Sequence, residues 1–206
     1  MPYKVVREFE EAIAAYAGSR FAVAVESGTA ALFLACHYDQ VKCVTIPART
    51  YPSVPCSIIH AGGHVHFSPE PWQGIYQLKP YNIWDGALRF RRGMYAGGLH
   101  CLSFHARKHL RIGRGGMVLT DSEAAYRWLK LARFDGREEM DLNAQGTFHV
   151  LGWNMYMTPE EAARGLLLFA SQKRQELPDL DVAQQGYPDL SRSAIYQQGV
   201  PNEVCS

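Results

Sequence analysis

Short apolar runs alternate along this chain with segments in which apolar residues recur at helical spacing. Residues 5–17 carry apolar residues at helical spacing and are followed by Gly18, which predicts a helix. Residues 21–25 form a short apolar run, as expected of a buried strand. The same reading predicts helices at 30–37, 51–61 and 123–134, and strands at 43–47, 64–68, 81–85, 100–104 and 116–120. Strands that alternate with helices predict an α/β domain with a largely parallel sheet.

The last predicted helix has a well-marked start. Thr158 is expected to be its N-cap, Pro159 its first residue, and Glu161 the second member of a capping box. After residue 177 the periodicity gives way to sequence rich in Pro, Gln and Ser. We therefore predict one domain over residues 1–177, followed by an irregular tail or small-domain remnant over residues 178–206.

Composition and charge narrow the classes of partner. The 206 residues include 21 basic and 20 acidic side chains, so neither nucleic acid nor an anionic membrane is an expected partner. The five cysteines form no C-x-x-C pair, which predicts neither a zinc site nor a disulfide framework. His64 and His66 would share one face of a strand, but no further ligand completes a metal site, and none is predicted. We expect a cytoplasmic protein.

Three positions carry candidate chemistry. Ser27-Gly28-Thr29 links a strand to a helix, an arrangement that binds anions at the helix N-terminus or simply caps the helix. Asp85 ends a predicted strand, where it could hold a ring nitrogen protonated or merely shape a turn. Lys108 lies between an apolar strand and a Gly-rich turn. Partial desolvation there would lower its pKa and suit it to Schiff-base chemistry, although most lysines are solvated surface charges.

In this order, these segments resemble the DegT/DnrJ/EryC1/StrS family of sugar aminotransferases, which use pyridoxal phosphate (PLP). The resemblance runs from about Val6 to about Phe169. Further matching segments are residues 7–10, 46–51, 61–63, 85–87, 115–116, 152–157 and 161–163. The resemblance implies the three-layer large domain of a fold-type-I PLP-dependent transferase, with a mostly parallel mixed sheet. It also implies that the C-terminal small domain is largely missing.

The resemblance implies a role for each matching residue. Lys108 would carry the cofactor as a Schiff base and later move a proton, and Asp85 would pair with the pyridinium nitrogen. The phosphate would be bound by Gly28, Thr29 and Ser103. The remaining cofactor-binding positions would be Tyr51, stacked on the ring, together with Ala87 and Asn154. Asn154 would reach the phosphate of the neighbouring subunit in a homodimer with shared sites. An amino donor, typically glutamate, and a nucleotide-linked keto-sugar would be the substrates.

The chain departs from the family pattern in three respects. Leu88 stands where a Gln or His usually contacts the ring hydroxyl of the cofactor, and Tyr156 stands where an arginine is usual. The chain is also about half as long as most members. Two alternatives to transamination therefore stay open. One is a PLP-dependent dehydration or other elimination, against which Lys108 argues because dehydratases of the family typically carry histidine there. The other is a non-catalytic, shortened PLP-fold protein that acts in binding or assembly.

Overall fold

The computed structural model describes residues 3–140 and 142–196, so residues 197–206 of the predicted tail lie outside the described part. Its helices are α1 (Lys4–Ala17), α2 (Gly28–Tyr38), α3 (Ser53–His60), α4 (Glu123–Ala132), α5 (Pro159–Gln172) and α6 (Val182–Gln185). Its strands are β1 (Phe21–Val25), β2 (Cys43–Pro47), β3 (His64–Ser68), β4 (Tyr76–Gln77), β5 (Ile83–Asp85), β6 (Leu99–Ser103) and β7 (Gly116–Thr120). The predicted alternation of strands and helices is present from α1 to β3, whereas β3 to β7 follow one another without an intervening α-helix. The capping box of α5 is present as expected.

The main sheet is mixed, but it holds fewer parallel pairs than predicted. Its strand order is β1-β7-β6-β5-β4, with β5 and β6 parallel and the other three neighbouring pairs antiparallel. The parallel strands β2 and β3 form a separate pair. Backbone hydrogen bonds between Thr45 of β2 and Lys79 join this pair to the segment that follows β4. The connection from β6 to β7 contains no helix, so β7 returns antiparallel. The apolar runs showed that strands exist but not in which direction they run.

The sheet is the middle of three layers. Val23 and Val25 of β1 belong to a buried cluster with residues of α2, α3 and α4. Ala22 and Ala24 belong to a second cluster with residues of α1 and α5. Because successive side chains of a strand point to opposite faces, these two clusters lie on opposite sides of the sheet. Burial of both faces explains why the strands are apolar throughout.

Strand direction brings the candidate chemistry to one edge of the sheet. β1 is antiparallel to β7, β7 is antiparallel to β6, and β6 is parallel to β5. The carboxyl ends of β1, β5 and β6 therefore lie at the same edge. Ser27, Asp85 and Ser103 all stand at that edge, because each ends or closely follows one of these strands.

Two further properties concern the described residues as a whole. Among them, no helix is long and apolar enough to cross a membrane. Cys36, Cys56 and Cys101 are free thiols. Cys43 is disulfide-bonded, which the scattered spacing of the cysteines did not predict.

Candidate active site

A cavity of about 340 Å³ opens at the edge where β1, β5 and β6 end. Its volume lies within the range of small-molecule sites. Its walls come from the turn before α2, from the segment that leads into α3, from the ends of β5 and β6, and from the β6–β7 connection. The residues that line it include Gly28, Thr29, Thr50, Tyr51, Trp72, Asp85, Ala87, Ser103, Arg107, Lys108 and Tyr187.

The first turn of α2 forms one end of the cavity. The Ser27 hydroxyl accepts a hydrogen bond from the Ala30 amide at 3.0 Å and so caps the helix. A side chain at Gly28 would place its Cβ 2.8 Å from the Cβ of Ser103, so the absence of a side chain lets the turn meet the end of β6. The amides of a first helical turn have no partner within the helix and carry the positive end of its dipole. This end of the cavity therefore suits an anion, and the Thr29 and Ser103 hydroxyls lie beside it.

Asp85 is a buried carboxyl at the end of β5, only 3% exposed. Its Oδ1 accepts a hydrogen bond from the Ala87 amide at 3.0 Å, and its Oδ2 accepts one from the Tyr76 hydroxyl at 2.9 Å. Thr50 and Tyr76 share a further hydrogen bond of 2.7 Å, which fixes the Tyr76 hydroxyl. Burial raises the pKa of Asp85, while the two hydrogen bonds and the positive charge of Lys108 act in the opposite direction. A carboxyl with these properties is oriented and is stabilised by a cation brought into the cavity.

Lys108 stands in a turn that follows β6. Its amide donates a hydrogen bond to the His105 carbonyl at 2.8 Å, which closes the turn and directs the residue to the cavity. Burial lowers the pKa of Lys108. The charge of Asp85 acts against this lowering, and the charge of Arg107 adds to it. A lysine with a lowered pKa has more neutral amine at a given pH and is a better nucleophile.

Several residues of this site have no strong local signal in the sequence. Tyr76 and Thr50 orient Asp85, and Tyr187 contributes to the cavity wall from the predicted tail. The Lys108 ammonium donates a hydrogen bond to the Tyr187 hydroxyl at 3.4 Å. The one available signal for Tyr187 was an aromatic residue within a polar, irregular stretch, which is too weak to place it.

Of the predicted site residues, all but one line this cavity: Gly28, Thr29, Tyr51, Asp85, Ala87, Ser103 and Lys108. Asn154 lies elsewhere, where its side-chain amide donates a hydrogen bond to Asp135 at 3.3 Å. The contribution of Asn154 to a neighbouring subunit stays a prediction. The part of the chain that the structure describes contains no group of three or more His, Cys, Asp or Glu residues placed to hold a metal ion.

Comparison with protein families finds one model over most of the chain. The model of the DegT/DnrJ/EryC1/StrS aminotransferase family matches residues 1–70 and 91–176. Asp85 and Ala87 lie between the two matched segments, and Tyr187 lies beyond the second. No curated protein matches the sequence.

Solved structures with a similar fold include several aminotransferases. AtS13 from Actinomadura melliaura is 22% identical with a TM-score of 0.69, and the match covers 83% of this chain and 61% of that one. PseC from Helicobacter pylori, an aminotransferase of pseudoaminic acid biosynthesis, is 16% identical with a TM-score of 0.69, at coverages of 82% and 58%. DesI, solved in the presence of its TDP-sugar product, is 24% identical with a TM-score of 0.66, at coverages of 81% and 53%. The match therefore spans less than two thirds of each of these structures, and at these identities the likeness shows the fold.

Proposed function

We propose that this chain, which belongs to the DegT/DnrJ/EryC1/StrS aminotransferase family, binds pyridoxal 5′-phosphate and transfers an amino group to a keto-sugar. The observation that carries the proposal is that Asp85 and Lys108 line one cavity. A buried, oriented carboxyl and a partly desolvated lysine interact electrostatically there. The anion-binding turn at Gly28 completes the set of groups that this cofactor requires.

The residues present fit the cofactor group by group. The first turn of α2, with Thr29 and Ser103, would bind the phosphate. Asp85 would pair with the protonated ring nitrogen, which would place a cation directly against this buried carboxyl. Tyr51 is 56% exposed yet lines the cavity, so its ring is free to cover the face of a bound ring. Lys108 would carry the cofactor covalently.

The bound cofactor would act as an electron sink for the bond broken at the substrate carbon. Lys108 would accept the proton released from that carbon and deliver it to the carbon of the cofactor that takes up the amino group. Burial lowers the pKa of Lys108, which favours the neutral amine that accepts a proton. Asp85 would keep the ring nitrogen protonated. Tyr76 and Thr50 would hold Asp85 in place through their hydrogen bonds.

The substrates follow from the family and from charge at the site. We propose glutamate as the amino donor and a nucleotide-linked keto-sugar as the acceptor; the TDP-sugar product of DesI supports a sugar of this kind. Arg107 lines the cavity close to Lys108. A guanidinium binds carboxylate or phosphate oxygens with two parallel hydrogen bonds, so Arg107 suits the donor's carboxylate or the acceptor's diphosphate.

We also propose that the protein is a homodimer. Large apolar side chains are exposed in one stretch that precedes Asn154 in sequence: Met140, Leu142, Phe148 and Leu151, which is 92% exposed. Exposed apolar side chains that form a patch are typical of an interface, and these four lie within residues 140–151. A second copy of the chain is the proposed occupant, because the family model extends through this stretch and Asn154 would then approach the partner's site.

Amino transfer can be tested by its first half. PLP-loaded protein is mixed with glutamate, and the 2-oxoglutarate released is measured. We expect release in proportion to protein, with none from Lys108→Ala. Bound PLP without amino transfer from glutamate or any other amino acid would contradict the proposal and favour the binding-only alternative. Ammonia release from a sugar substrate without 2-oxoglutarate would favour elimination.

A further inference from the structure

The family model leaves out residues 71–90 and the residues after 176. Residues 71–90 bind the described part of the second stretch, residues 177–196. Arg89 forms two hydrogen bonds with the Asp179 carboxylate, at 2.9 and 2.6 Å. The Leu180 amide donates to the Leu88 carbonyl at 2.9 Å, and the Leu180 carbonyl accepts from Gln73 at 3.2 Å. Residues 177–196, hereafter the strap, are therefore fixed to the segment that carries Asp85.

The strap delivers one aromatic side chain to the cavity. Helix α6 is capped by Asp181 and ends at Gly186, whose φ of 66° turns the chain out of the helix. The next residue, Tyr187, lines the cavity, and its ring stacks on Trp72 with centroids 6.5 Å apart and an angle of 8°. Its hydroxyl lies 3.4 Å from Lys108 Nζ. The hydroxyl of Tyr187 is thus beside the atom that would carry the cofactor.

The covalent structure of PLP puts its ring hydroxyl next to the carbon to which a lysine attaches. A cofactor on Lys108 would therefore bring that oxygen close to Lys108 Nζ. Polar groups that lose water on binding need a hydrogen-bond partner. The side chain of Leu88 cannot provide one, and it is fully buried. The hydroxyl of Tyr187 can donate a hydrogen bond and lies close to Lys108 Nζ.

We propose that Tyr187 donates a hydrogen bond to the ring oxygen of pyridoxal phosphate bound at Lys108. This inference rests on the proposed function. It makes the strap part of the active site, with Tyr187 as a cofactor-binding residue. The bond would draw negative charge from the ring oxygen and so weaken its hold on the proton of the neighbouring nitrogen of Lys108.

The charges around Tyr187 are compatible with a donor. Burial raises the pKa of Tyr187 to about 12, the charge of Asp85 adds to the rise, Arg107 opposes it, and Tyr51 adds to it. The phenol therefore keeps its proton at neutral pH. Lys108 and Tyr76 are further titratable groups beside Tyr187. Burial together with Asp85 also holds the Tyr76 phenol protonated.

The test is a pH titration of the visible absorbance of PLP-loaded protein. In Tyr187→Phe we expect the midpoint to rise by about one pH unit, since a hydrogen bond to a charged group is worth about that much. The matched control is Tyr196→Phe, also in the strap, whose hydroxyl donates to the Pro52 carbonyl instead. Its midpoint should equal that of the wild type.

A second measurement separates contact with the cofactor from contact with Lys108 alone. In the Lys108→Ala background, Tyr187→Phe should weaken PLP binding by roughly five- to tenfold, the value of one hydrogen bond. An unmoved midpoint, or an unchanged affinity in that background, overturns the inference and leaves the proposed function intact. Wild-type protein that gains no visible absorbance with PLP overturns both.

Discussion

At the scale of single residues, the site depends on how Asp85 is held. The carboxyl is buried, and the Ala87 amide and Tyr76 hydroxyl each bind one of its oxygens. The sequence indicated Asp85 through its place at the end of a strand. It could not indicate Tyr76 or Thr50, because their contacts depend on a two-residue strand and on pairing across the fold. Lys108 and the Gly28 turn were predictable because local sequence determines both.

Asp85→Asn tests the charge of this residue with its shape retained. We expect turnover to fall by several orders of magnitude while PLP remains bound, since the amide cannot keep the ring nitrogen protonated. Turnover and PLP affinity are measured together, with the surface variant Asp121→Asn as the control. Turnover close to that of the wild type would show that Asp85 does not pair with the ring.

At the scale of elements, the positions of strands and helices were easier to predict from the sequence than the direction in which the strands run. Apolar runs identified β1, β2 and β3 with their observed bounds, and the capping residues identified the start of α5. Strand β4 has two residues and leaves no periodic signal. The path of the strap depends on contacts such as Arg89 with Asp179, which are 90 residues apart in the chain. Local sequence carries no information about such contacts.

A buried ion network joins α1 to α4 and tests the packing of these elements. Arg133 is 1% exposed and binds Glu10 and Glu139, and Lys130 binds the same two carboxylates. Glu10→Gln leaves the buried cations short of one negative charge, which should lower the free energy of unfolding by about 3–5 kcal/mol. Glu8→Gln is the control on the same helix. Its exposed pair with Lys4 should contribute less than about 1 kcal/mol. Equal losses of unfolding free energy in the two variants, measured by urea unfolding, would contradict the stabilising role of the buried network.

The attachment of the strap should weaken at acid pH. The hydrogen bond from Arg89 lowers the pKa of Asp179, although burial opposes it. A carboxyl whose pKa is lower in the folded state adds stability above its unfolded pKa of about 4, and this stability is lost as pH falls through the native value. Carbon-13 NMR titration of Asp179 should give a midpoint below about 4, and Arg89→Gln should raise it. The control Arg192→Gln should leave the midpoint of Asp179 unchanged. An unchanged midpoint in Arg89→Gln would show that Arg89 is not the cause of the lowered pKa.

At the scale of the whole molecule, the proposal is that two chains build each site. Asn154 lies outside the cavity of its own chain and follows a stretch of exposed apolar side chains. We expect a homodimer by mass in solution. Mixing Lys108→Ala with Asn154→Ala should restore activity, because each mixed dimer has one site with both defects and one with neither. A monomer, or mixing that restores nothing although subunits exchange, would contradict shared sites.

If Lys108 carries the cofactor, chemical reduction should fix the cofactor permanently on that residue. PLP-loaded protein is reduced with borohydride, digested, and the peptide that retains the cofactor is identified by mass spectrometry. We expect a single modified peptide, with the label on Lys108, and no label in Lys108→Ala. A label on any other lysine of the wild-type protein would contradict it.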